Sequence, residues 1–81
     1  MSVFVQIFDE GDGCTYSLHF SKEDAEKILE ADEGKLIELP SIGGNIVLKG
    51  DQAVILYKSG SGHGSIYSSY ANLCSMINES E

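Results

Sequence analysis

Arginine is absent from this chain and lysine is scarce: five Lys stand against thirteen Asp and Glu, a formal charge of −8 on 81 residues. With no Arg and scattered Lys there is no basic stripe to neutralise phosphates, which excludes direct nucleic-acid binding. No stretch approaches the ~20 apolar residues of a membrane span. The start, Met1-Ser2-Val3-Phe4, has no positive n-region, so a secretory leader is not expected and a cytoplasmic setting is. Cysteine is limited to Cys14 and Cys74. In a reducing cytosol two such thiols are expected to stay reduced, while their pairing depends on a distance that sequence leaves open.

Catalytic and cofactor signatures are also missing. His19, His63, Cys14 and Cys74 have no zinc-ligand spacing. Ser59-Gly60-Ser61-Gly62-His63-Gly64-Ser65 has the composition of a phosphate loop but lacks its terminal Lys-Ser/Thr, so it reads as a flexible connector or an adaptable contact loop. Asp9-Glu10-Gly11-Asp12-Gly13 has neither the residue order nor the closing Glu of a calcium loop, and reads as a turn. A nucleophile activated by His63 would need a third group to orient the imidazole and a pocket to hold both. No enzyme, metal or cofactor is expected.

What is present is a folded domain. The apolar content of 42% argues against disorder despite the charge. The length suits one domain with a thin core, for which dimerisation is an ordinary remedy. Val3 to Phe8 reads as a strand. Thr15 to Phe20 alternates, with Tyr16, Leu18 and Phe20 on one side, and forms a hairpin with the first. Ser21-Lys22-Glu23-Asp24 fits a capping box that opens a helix to about residue 32, with Ala25, Ile28 and Leu29 as its buried stripe and Gly34 past its end. Strands follow at Leu36 to Leu39, Ile46 to Lys49 and Ala53 to Lys58. Ser65 then caps a last helix to about Asn78, with Ile66, Tyr67, Tyr70, Leu73, Cys74 and Ile77 on one face. The expected fold is α+β, ordered β-β-α-β-β-β-α. It has about five strands in a mainly antiparallel sheet and two helices packed on one face.

The first and fifth strands are apolar on both sides, Val3, Phe4, Val5, Ile7, Phe8 and Ala53, Val54, Ile55, Leu56, Tyr57. Helices on one face leave such surface uncovered, and an uncovered apolar patch marks an interface. A homodimer is therefore expected.

Acid is concentrated rather than spread. Nine of the thirteen acids, Asp9, Glu10, Asp12, Glu23, Asp24, Glu26, Glu30, Asp32 and Glu33, lie in one third of the chain. Between Ser41 and Asn78 there is one, Asp51. On a helix, Glu23, Glu26, Glu30 and Glu33 share a narrow arc opposite the apolar stripe, about 15 Å long. Such a row is often only a solvated face, held by Lys22–Glu26 and Glu23–Lys27 contacts of a few tenths of a kcal/mol. Against that, Glu30, Asp32 and Glu33 crowd the helix end where the dipole disfavours anions by ~0.3–1 kcal/mol each.

In size, charge and want of catalytic motif the chain resembles the small acidic inhibitors of phages and mobile elements, among them DNA mimics and anti-restriction or anti-CRISPR proteins. The resemblance implies a non-enzymatic decoy. Its nine clustered acids would occupy the basic groove of a nucleic-acid-binding protein, with fast, salt-sensitive association. The alternative is an assembly module, adaptor-like or antitoxin-like, that binds through its sheet face or its last helix and uses the acid for solubility.

Overall fold

The structure, a computed structural model, describes residues 2–80; Met1 and Glu81 lie outside it. It is α+β. Strands β1 (Ser2–Phe8) and β2 (Thr15–Ser21) form an antiparallel hairpin. Helix α1 (Lys22–Leu29) follows, then β3 (Leu36–Leu39), a single 3-10 turn (Pro40–Ile42), β4 (Gly44–Lys49), β5 (Gln52–Ser59), β6 (Gly62–Ser69) and helix α2 (Tyr70–Ser80). Strands β3 to β6 form a second antiparallel sheet in sequence order. The expected single sheet of about five strands is thus two sheets, of two and four strands.

The hairpin follows from its alternation. Val3, Val5 and Ile7 are buried opposite Phe20, Leu18 and Tyr16, while Phe4 and Phe8 face out at 47% and 55% exposure. Ser21 starts α1 as the sequence requires, its hydroxyl accepting from Asp24 N at 3.1 Å. The helix buries Ala25 and Ile28 in the core.

Helix α1 ends three residues sooner than expected. Tyr70 on α2 explains this: its hydroxyl donates to Ile28 O at 2.6 Å, a carbonyl that a longer helix would use itself. Burial raises the Tyr70 phenol to about 12, so it remains a donor. Gly34 is not the helix cap. Glu30 is, and Gly34 instead turns the chain at φ 82° and donates to Leu48 O at 2.9 Å.

The larger correction concerns β6. Residues 62–69, read as a loop and the first turn of the last helix, are a strand paired with β5 along its whole length. Two hydrogen-only side chains hid the alternation. Gly64 is required there, because a Cβ would lie 2.5 Å from the Tyr57 ring that crosses it. Ile66 and Tyr67 therefore point to opposite faces, not to one. The last helix begins at Tyr70, and its cap is Ser69, whose hydroxyl accepts from Asn72 N at 3.3 Å.

One core unites the parts. Ile46, Ile55 and Ile66 stand in register across the larger sheet and are fully buried with Phe20, Ile28, Leu73 and Ile77. Burying side chains of this size stabilises the fold by about 1.5–3 kcal/mol each before chain entropy is counted. The hairpin turn is tied to the second sheet by Glu10 N donating to Tyr67 O at 2.8 Å.

Candidate functional site

The nine acids read from the sequence do not form one surface. Asp9 is only 3% exposed. Its Oδ1 accepts from Gly11 N at 2.8 Å and from Tyr67 N at 3.1 Å, so it shapes the hairpin turn and joins the two sheets. Asp24 is equally buried. It accepts from Ser41 N at 2.9 Å and from the Ser41 hydroxyl, with Lys27 Nζ 3.4 Å away. Burial opposes its ionisation, but the two bonds from Ser41, helped by Lys27, outweigh that and hold the carboxyl below its ordinary value. Both carboxylates are structural acceptors and are removed from the partner-binding set.

Asp12 is exposed but partly occupied. It accepts from Cys14 N at 2.8 Å and from the Tyr16 hydroxyl. The Tyr16 bond, then the Cys14 bond, lower its pKa, and the same bond raises that of Tyr16.

Glu23, Glu26 and Glu30 remain as a row on α1, all exposed. Eight helical residues and the cap span about 13 Å. Asp32 and Glu33 are exposed beyond the helix end; Glu33 bridges to Leu48 and so leaves the row. Glu10 is exposed on the hairpin turn. Among the described residues, the one ion pair within 4.0 Å is Lys27 with buried Asp24. The Lys22–Glu26 and Glu23–Lys27 contacts expected on α1 are not formed. Among the described residues, the exposed carboxylates of this helix therefore have no cation within 4.0 Å.

A second feature was only half visible in the sequence. On the outer face of the larger sheet, Leu36, Val47, Val54 and Tyr67 are register partners, one from each strand. They form an apolar row across the whole sheet. Leu36 is 58% and Tyr67 41% exposed, and Val47, Val54 and neighbouring Leu56 are half-buried yet lie apart from the core. The two-sided apolar character of the β5 sequence pointed here; the register that aligns it with Leu36 and Tyr67 did not follow from any local pattern.

His63 sits exposed on β6 opposite Lys58. A shallow depression of about 380 Å³ is lined by Phe4, His19, Ser41, Tyr57 and Lys58, among others. Cys14 and Cys74 are both free thiols. Among the described residues no three His, Cys, Asp or Glu come together as metal ligands, and no helix is long and apolar enough to cross a membrane. No family model, curated protein or solved structure matches the chain.

Proposed function

We propose that this chain is a non-catalytic binding protein whose acidic surface engages a basic partner, one that ordinarily holds nucleic acid. The observation that carries this reading is the unpaired row Glu23, Glu26 and Glu30, with Glu10, Asp12, Asp32 and Glu33 as further exposed acids. Carboxylates left without internal cations keep their full field for a partner, and that field speeds encounter with a positive groove. Glu30 caps a helix end, where the dipole makes an anion cost ~0.3–1 kcal/mol, so stability alone does not account for it. In action the carboxylates would stand where phosphates stand and block the groove by competition.

The test is capture from cell lysate at low and high salt, using wild type and a variant with Glu23, Glu26 and Glu30 changed to Lys. The expected result is a nucleic-acid-binding protein retained at low salt by wild type only. Retention by the variant at any salt would reject the acidic reading. A second reading, a module that binds another protein through its sheet face, is supported by the row Leu36, Val47, Val54 and Tyr67.

A further inference from the structure

We propose that the outer face of the four-stranded sheet is a self-association surface, covered by the same face of a second copy. The inference stands independently of the acidic reading. Its first support is the row Leu36, Val47, Val54 and Tyr67, which crosses all four strands with Leu56 beside it and is not packed against the core. A face with this make-up is buried in most antiparallel sheets only when another layer lies over it.

Its second support is charge. The outward positions of these strands carry Glu38 against Lys49 and Lys58, a formal +1. The other twelve acids and three lysines lie elsewhere, leaving −9 for the rest of the chain. Two copies meeting through α1 or the acidic hairpin turn would oppose like charges, while the outer face of the hairpin, uncharged along its strands, offers only Phe4 and Phe8 as large apolar groups. This face can meet itself without that penalty. A two-fold axis parallel to the strands lays β3 over β6 of the second copy. Leu36 then meets Tyr67, Val47 meets Val54, and neither lysine is set against a lysine. The contact is isologous, so it closes at two copies. Four strands ~4.8 Å apart and about six residues long at ~3.3 Å give a face of roughly 400 Å², below the ~800 Å² per partner of a standard stable interface. A face of that size suits a weak, concentration-dependent dimer rather than an obligate one.

Salt separates this contact from the acidic one. Two charges of −8 at a separation on the order of 20–25 Å repel through ~0.1 M salt, and that repulsion is almost gone at 1 M. Raising salt over this range should tighten the dimer roughly four- to twenty-fold, whereas it weakens capture of a basic partner.

Sedimentation velocity of the full chain from 1 to 200 µM, at 0.1 M and 1 M salt, tests the proposal. The expected result is a monomer–dimer equilibrium that shifts to dimer with salt. Leu36→Lys and Val54→Lys should each sediment as monomer at every concentration, with far-UV circular dichroism and urea midpoint showing that they remain folded. Leu36 is more than half exposed, so its variant tests the face even if Val54→Lys fails to fold. Glu23→Lys should still dimerise. A wild-type monomer throughout would overturn the proposal and leave the face to a foreign protein. A dimer that persists in Leu36→Lys, or that dissociates with salt, would overturn it as well.

Discussion

Asp24 is the acid whose role changes most between sequence and structure, and its removal has a calculable cost. In Asp24→Ala the Ser41 N–H loses its acceptor at 2.9 Å, the Ser41 hydroxyl loses its own, and Lys27 loses its counter-ion. Hydrogen bonds to a charged group are each worth about 1.5–3 kcal/mol, but part returns because a buried carboxylate no longer has to be desolvated. Better helix propensity returns up to ~0.7 kcal/mol more. The expected loss is about 2–4 kcal/mol, which lowers Tm by at least ~8 °C in a domain of this size. Asp24→Asn keeps the shape and loses the charge, and should cost about half as much. The pH dependence fixes the sign. The carboxyl of Asp24 is held below its ordinary value in the fold. The charge therefore stabilises fully above the unfolded value near 3.9, and the benefit is lost as pH falls through the folded value. Urea unfolding of wild type and Asp24→Asn between pH 7 and pH 2 should show a difference that narrows on acidification. A difference under ~0.5 kcal/mol at pH 7, or one that grows toward low pH, would refute the assignment.

Three further substitutions test other joints. Gly64→Val should destabilise by several kcal/mol, or shift the Tyr57 ring, because a Cβ there meets that ring at 2.5 Å; near-UV circular dichroism and thermal melting read both. Tyr70→Phe removes the donor to Ile28 O and should cost about 1 kcal/mol in urea denaturation, with α1 otherwise intact. His63→Ala, at an exposed strand position, should change stability by no more than about 0.5 kcal/mol and leave partner capture unaltered.

The legible parts of this fold are those with a local signature. The alternation of Thr15 to Phe20 and the Ser21 cap led directly to β2 and α1. Strand β6 lacked such a signature, since Gly62 and Gly64 carry no side chain to alternate and Ser65 mimics the helix cap that Ser69 provides. The end of α1 was not legible because Tyr70, more than forty residues away, terminates it. The acidic surface was legible as composition but not as geometry. Helical spacing sets Asp24 one turn before Ile28, on the flank of the apolar stripe rather than in the row of Glu23 and Glu26, and Ser41, supplied by the turn after β3, provides the donors that let it stay inside. Asp9 looked like any turn aspartate until Tyr67 of β6 arrived to share its oxygen. Burial of an acid is decided by partners distant in sequence, and no count of charges reveals them.

The central claim is that exposed carboxylates occupy a surface meant for phosphates. The most direct measurement is competition: partner captured on the immobilised chain at low salt is challenged with duplex DNA, and the release is compared with that caused by neutral polymer. The account predicts release by DNA in proportion to its phosphate concentration, and no capture at all on the chain bearing Glu23→Lys, Glu26→Lys and Glu30→Lys. Capture that survives excess DNA and is as strong on the reversed chain would contradict it.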